Sequence, residues 1–192
     1  MIAAPFAAGA VKETFNEPAA VLTMVGFGGG PGAPTEAALQ ADARAAYDYL
    51  RNTRRVPPHS IVIYGWSLGA AVAVDMASRV PPAAMILEGA PASLVDLAGR
   101  RYPFFPLRFF MRSSFDSIEK IGGIPAPILF LHSTDDEVIP ISEGRRLHEA
   151  ARGAKMFVEL RGGHMAAIDQ SAGVLDQAIR TFLGTYGPRP RM

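Results

Sequence analysis

The 192-residue chain carries 19 Lys+Arg against 18 Asp+Glu, and is 49% hydrophobic and 19% charged. This mix excludes a mostly disordered chain, and a formal net charge of +1 gives no basic excess for nucleic acid and no acidic excess for a cation-holding role. The absence of cysteine excludes disulfides, thiolate catalysis and cysteine-based zinc or iron–sulfur sites, and fits a reducing compartment, so a cytoplasmic location is expected.

A chain of this length suits one domain that buries roughly 70% of its unfolded surface. No apolar run reaches the roughly 18–20 residues a transmembrane helix needs. Met1–Ala10 is small and apolar but lacks a basic n-region, so it is not read as a signal peptide. Residues 1–18 and 186–192 are expected to be poorly ordered.

Ala19–Val25 is a short apolar run ending in Gly26-Phe27-Gly28-Gly29-Gly30-Pro31-Gly32, the pattern of a strand running into a glycine-rich loop. Pro34 then opens a helical stretch to about Asn52, with Ala38, Leu39, Ala45, Ala46, Tyr49 and Leu50 at roughly helical spacing. After the Pro57-Pro58 break, Ser60–Tyr64 reads as a buried strand, Gly65–Gly69 as a tight turn and Ala70–Val80 as a helix. Ala83–Leu87 is a further strand. Residues 91–124 differ in texture, setting Arg100, Arg101, Arg108 and Arg112 among Tyr102, Phe104, Phe105, Phe109 and Phe110. Pro127–His132 and Met156–Leu160 are strands, and Ile141–Arg152 and Ala166–Leu183 are helices. Unbroken apolar strands alternating with helices predict an α/β fold with a mainly parallel sheet covered on both faces. Chemistry in such sheets sits beyond the carboxyl ends of the strands.

Gly65-Trp66-Ser67-Leu68-Gly69 has the form G-x-S-x-G between a predicted strand and a predicted helix. The turn is too sharp for side chains at its two glycines. It holds the serine in a strained conformation and aims the Leu68 N–H, with the helix N-terminus, at a developing oxyanion. A serine hydroxyl needs a base, and the base an orienting acid. His164, in the loop after Met156–Leu160, stands at the correct end of the sheet. His59 precedes a strand, His148 lies inside a helix, and His132 closes a strand earlier than the Ser–acid–His order allows. For the acid, Asp135, Asp136 and Glu137 after the Pro127–His132 strand, and Glu88 after Ala83–Leu87, all remain open on this reasoning.

The chain resembles the α/β-hydrolase superfamily, most closely its Bem46-like branch of serine aminopeptidase S33-type or prolyl-oligopeptidase-like hydrolases. The stretches that carry the resemblance are Gly26-Phe27-Gly28, Pro34-Thr35-Glu36, Ala41-Asp42-Ala43, Tyr64–Gly69, Phe115-Asp116-Ser117, His132–Pro140 and Gly162-Gly163-His164. In the family the acid stands four residues after a histidine in H-G-x-x-D-x-V-x-P. With His132 as that histidine the role falls to Asp136, while Ser133 replaces the motif's glycine. The resemblance implies a three-layer α/β-hydrolase domain over residues 1–192, with 91–124 as a short cap. The cap's aromatics are expected to pack it onto the core, with lining of an acyl or apolar pocket as the alternative, and its arginines to solvate its outer face, with steering of anionic substrates as the alternative.

The implied chemistry is acyl transfer from an ester, a thioester or, less fittingly, an amide or peptide to water. Ser67 would be the nucleophile, His164 the base and acid, and Asp136 the orienter, with no cofactor and no metal. The rival expectation is a catalytically weak or inactive hydrolase-like binding protein. A nucleotide-binding loop at Gly26–Gly32 is disfavoured, because it lacks a P-loop lysine and a dinucleotide fingerprint.

One departure from the family lies upstream. Its His-Gly motif, whose backbone N–H completes the oxyanion hole, has no counterpart among the 25 residues before Gly26. Either the chain is a shortened member with Leu68 as its one clear donor, or Phe27, in Phe27-Gly28-Gly29, supplies the second. The spacing from Val25 to Ser67 favours the first. A shortened member is expected to be a slow catalyst, and an uncovered sheet edge beside Ala19–Val25 would favour a homodimer.

Overall fold

The computed structural model describes residues 35–100 and 115–188 in full, together with the backbone of residues 20–24 and 101. Among the described residues, five strands form one sheet: β1 (Ala20–Met24), β2 (Ile61–Trp66), β3 (Ala84–Glu88), β4 (Ile128–Ser133) and β5 (Lys155–Leu160). They lie in sequence order and every neighbouring pair is parallel. Parallel neighbours require crossovers, and helices supply them: α1 (Glu36–Asp48) between β1 and β2, α2 (Leu68–Ala77) between β2 and β3, and α5 (Ile141–Ala150) between β4 and β5. The β3–β4 connection holds α3 (Leu94–Arg101) and α4 (Ser117–Ile121), and α6 (Ala167–Gln170) and α7 (Ala172–Tyr186) follow β5.

The period-two alternation of the strands sends side chains to two separate cores. Ile61, Ile63, Met85, Leu87, Ile128 and Phe130 pack beneath α1, α2, α4 and α5. Val62, Tyr64, Ala84, Ile86, Leu129 and Leu131 face Leu175, Ala178, Ile179, Phe182 and Leu183 of α7. Helices on both faces of a parallel sheet give the expected three layers. Because all five strands run the same way, Trp66, Glu88, Ser133 and Leu160 end on one rim, where the candidate site is built. Among the described residues, no helix is long and apolar enough to cross a membrane.

Two element boundaries differ from the sequence reading. The predicted turn at Gly65–Gly69 contracts to one residue: β2 runs through Trp66, α2 begins at Leu68, and Ser67 alone makes the corner. The backbone can do this because Gly65 lets α2 approach the strand. A Cβ there would lie 2.5 Å from the Ala70 Cα and 2.6 Å from the Gly69 carbonyl oxygen. These are backbone atoms that no rotamer change can move. Gly65→Ala is therefore expected to destabilise the fold by at least about 1–3 kcal/mol and to displace Ser67, as read by thermal unfolding.

The single helix expected over Ala166–Leu183 is instead broken at Ser171. The Ser171 hydroxyl accepts the Arg161 N–H at 2.7 Å and donates to the Arg161 carbonyl at 3.0 Å, tying the helix break to the end of β5. α7 then continues through Tyr186, three residues beyond the predicted end.

The two ends of the predicted cap meet at its base. Ser93 and Asp116 form an isolated antiparallel bridge, and the Ser93 hydroxyl bonds the Asp116 carboxylate. Glu143, wholly buried at the start of α5, accepts the Ala92 N–H and side-chain bonds from Arg100 and Arg146. Arg100, expected only to solvate the outer face of the cap, thus reaches the core carboxylate that anchors it. Tyr102, Phe104, Phe105, Phe109, Phe110, Arg108 and Arg112 lie outside the described residues.

Candidate active site

Ser67 sits at the corner between β2 and α2 with φ 55° and ψ −124°. A non-glycine residue with positive φ is held there by its surroundings at about 1–3 kcal/mol. Two backbone anchors do this: the Ser67 N–H donates to the Glu88 carbonyl at the end of β3 (2.9 Å), and the Ser67 carbonyl accepts the Ala70 N–H in the first turn of α2 (2.9 Å). Leu68 is the first helical residue. Helix geometry leaves N–H groups of the first turn without intrahelical carbonyls, and the dipole adds positive potential there. Phe27, the second expected oxyanion donor, lies outside the described residues.

His164 follows β5, and its ring bridges two side chains from other loops. Nε2 lies 2.9 Å from the Ser67 Oγ, and Nδ1 lies 2.8 Å from the Asp136 Oδ2. A carboxylate only accepts, so in the neutral ring Nδ1 carries the proton and Nε2 accepts the serine hydroxyl. The ring is buried and stacks on Trp66 at 5.5 Å between centroids, inclined 24°.

The other Asp136 oxygen, Oδ1, accepts the N–H groups of Val138 and Ile139 at 2.9 and 2.8 Å. Burial alone would raise this carboxyl, but the hydrogen bonds from His164, Ile139 and Val138 outweigh it and hold the group below the ordinary aspartate value. The Asp136 hydrogen bond likewise raises the His164 imidazole above its ordinary value; burial opposes this, and the charges of Asp136, Glu137 and Glu88 add to it.

The carboxylates that sequence reasoning left open have separate partners. The Asp135 Oδ2 accepts the Gly162 N–H at 3.1 Å, and the Glu137 Oε2 accepts the His164 main-chain N–H at 3.0 Å. Both hold the His164 loop, and neither bonds the ring. Glu88 is buried and takes the Tyr64 hydroxyl. Asp136 alone meets the imidazole. His132 is buried behind it, with Nε2 bonded to the Ile139 carbonyl at 2.8 Å, which closes the loop that carries Asp136. Burial lowers the His132 imidazole against the opposing pull of that bond, so the ring stays a neutral donor.

Trp66 and the main-chain bond of Glu137 are the site features that motif reasoning missed. The one tryptophan of the chain standing inside the G-x-S-x-G pattern was the available signal for the first. Nothing in the sequence marked the second.

A serine on a strand–helix corner, bonded to a histidine that is bonded to a carboxylate, stands here on a three-layer parallel α/β frame, the α/β-hydrolase fold. The chain belongs to the α/β-hydrolase superfamily. Residues 112–191 match the family described as TAP-like protein. An uncharacterized protein of Mycobacterium tuberculosis is 40% identical over 159 residues, covering 82% of this chain and 57% of that protein. Alpha/beta hydrolase domain-containing protein 17B of Homo sapiens is 38% identical over 126 residues, covering 65% of this chain and 42% of that protein. The chain thus spans about half the length of these curated relatives.

Among solved structures, the esterase domain of a Rhodothermus marinus protein superposes with a TM-score of 0.61 at 24% identity, over 79% of this chain and 70% of that one. A Pyrococcus furiosus esterase superposes with a TM-score of 0.65 at 19% identity, over 82% and 66%. At these identities the structural likeness establishes the fold.

Proposed function

We propose that this chain is a serine hydrolase of the Bem46-like, serine aminopeptidase S33-type branch. It would cleave small-molecule esters or thioesters, with amides or peptides as poorer substrates, through an acyl-serine intermediate. The observation that carries the reading is the unbroken line from the Ser67 Oγ to His164 Nε2 and from Nδ1 to Asp136, at 2.9 and 2.8 Å.

In the reaction, the Ser67 Oγ attacks the substrate carbonyl as His164 Nε2 takes its proton. Asp136 holds the ring in the accepting tautomer and stabilises the imidazolium that forms. The Leu68 N–H donates to the tetrahedral oxyanion, assisted by the N-terminal dipole of α2. Collapse breaks the bond to the leaving group, which takes the proton from His164. Water then attacks the acyl-serine carbonyl, again giving its proton to His164. The acid leaves as Ser67 recovers its proton.

Chromogenic esters of increasing acyl length, offered to the wild type and to Ser67→Ala, test this reading. Hydrolysis is expected in the first and not in the second. Equal rates in both proteins contradict it, and no turnover of any ester, thioester or amide favours a binding role instead.

The pH dependence follows from the direction of the His164 shift. The base must be neutral in the free enzyme, so kcat/KM falls as pH drops through a value above the ordinary histidine value of about 6.5. Asp136→Asn removes the bond that raises it, and is expected to move this acid limb to lower pH.

A homodimer is proposed through β1, which among the described residues lies at one edge of the sheet, opposite β5. Light scattering on the purified chain reads it directly: twice the monomer mass supports the dimer, and the monomer mass refutes it.

A further inference from the structure

Glu88 is a buried ionisable group that the proposed reaction leaves unused. It ends β3 and is 2% exposed. Its Oε2 accepts the hydroxyl of Tyr64, itself wholly buried on β2. Its Oε1 is buried with no hydrogen-bond partner among the described residues. A carboxyl in this position is costly unless its charge is used or removed.

The surroundings indicate the use. The Glu88 carbonyl holds the Ser67 N–H, and the next residue, Gly89, is in a left-handed conformation at φ 53°. Gly89 passes so close beneath the site that a Cβ there would lie 3.6 Å from both the Asp136 Oδ2 and the His164 Cε1. The end of β3, with Glu88 on it, therefore lies beside the His164–Asp136 pair.

The groups that act on its carboxyl are Tyr64 from β2, His164 from the loop after β5 and Asp136 from the loop after β4. Burial raises Glu88 to about 7, against the opposing pulls of Tyr64 and His164 and with the support of Asp136. Burial also keeps the Tyr64 phenol a donor by raising it well above its ordinary value. On the other side, His164 feels the carboxylates of Asp136, Glu137 and Glu88.

We propose that Glu88 is a positioning residue of the site, a buried carboxylate whose negative charge favours the imidazolium form of His164 and so assists proton uptake from Ser67. Its carboxyl acts through His164 rather than on the reacting atoms, and its role rests on the serine-hydrolase reading above. An ionised Glu88 stabilises the state His164 enters when Ser67 attacks. A protonated Glu88 withdraws that support. The active site then has two titrations on its acid side, one that makes His164 neutral and one that charges Glu88.

Three versions of the 192-residue chain test this: wild type, Glu88→Gln and Tyr64→Phe. The glutamine keeps the shape of Glu88 and an acceptor for Tyr64 while removing the charge. Two readouts are taken on each, the pH titration of the His164 imidazole by NMR and the pH–rate profile for a chromogenic ester. In Glu88→Gln the imidazole is expected to titrate at lower pH than in wild type. The plateau rate is expected to fall by about three- to ten-fold, far less than for loss of a triad member. The acid limb collapses to a single titration.

Tyr64→Phe removes a donor that favours the charged carboxylate, so full rate is reached only at higher pH than in wild type. This opposite shift tests the proposal even if Glu88→Gln folds poorly. An imidazole titration and rate profile unchanged in both variants overturn it. Failure of the underlying reading looks different. A wild type that resists a fluorophosphonate ends the serine-hydrolase assignment, while the imidazole titrations still report the Glu88–His164 coupling.

Discussion

Replacement of Ser67 by alanine is expected to lower ester hydrolysis by on the order of 10⁵–10⁶, leaving at most the residual rate that binding and oxyanion stabilisation provide. The size of the effect follows from the arrangement. His164 Nε2 faces the Ser67 Oγ at 2.9 Å, so without the hydroxyl the base has no nucleophile to activate. The substitution removes one oxygen and keeps a Cβ at the strained corner, so the position at φ 55° is no more crowded than before. Thermal unfolding of Ser67→Ala is therefore expected to match wild type within about 1 kcal/mol. A variant that folds normally and keeps more than a few per cent of the wild-type rate would place the nucleophile elsewhere.

The second large effect is expected at Asp136. Asparagine there preserves shape and still accepts from Val138 and Ile139 through one oxygen, but presents no carboxylate to His164 Nδ1. The imidazole loses both the partner that fixes its tautomer and the charge that stabilises its protonated form. A loss on the order of 10⁴ in turnover is expected, the magnitude that orienter replacement produces in a serine protease triad.

The neighbouring acids provide the control. Asp135→Asn weakens one bond to the Gly162 N–H at an exposed loop and is expected to cost less than about three-fold. Glu88→Gln falls between the two. Steady-state kinetics on the three variants order them, and a silent Asp136→Asn beside a crippled Glu88→Gln would move the acid to the end of β3.

The parts of the site that were legible in the sequence are those fixed by local geometry. Ser67 could be found because a strand–glycine–helix corner leaves few residue types that fit, and His164 because strand order places its loop over the same rim. The acid was harder. Asp135, Asp136 and Glu137 are consecutive, and all three carboxylates grip the His164 loop: one takes the Gly162 N–H, one the ring and one the His164 N–H. Which faces the ring depends on the loop backbone, which the bonds from Val138, Ile139 and His132 to Asp136 and its loop set, and only the resemblance to a family motif selected Asp136 beforehand.

The break at Ser171 was not legible either. A serine within a helical pattern looks compatible with a helix until the end of β5 supplies Arg161 for its hydroxyl. Glu88 could be listed as an acid but not as a buried, half-satisfied one, because that depends on its packing against Tyr64 across two strands.

The most direct test of the central claim is covalent. The wild-type chain, Ser67→Ala and Asp136→Asn are treated with a fluorophosphonate, and the adduct is located by peptide mass spectrometry. An activated serine displaces fluoride from phosphorus and keeps the phosphonyl group, whereas an ordinary surface serine does not react on the same timescale. The expected result is stoichiometric labelling of the wild type at Ser67 alone, none in Ser67→Ala and greatly slowed labelling in Asp136→Asn. An adduct on a different residue, or a folded wild type that takes up no label, would contradict the proposal that Ser67 is the nucleophile of a serine hydrolase.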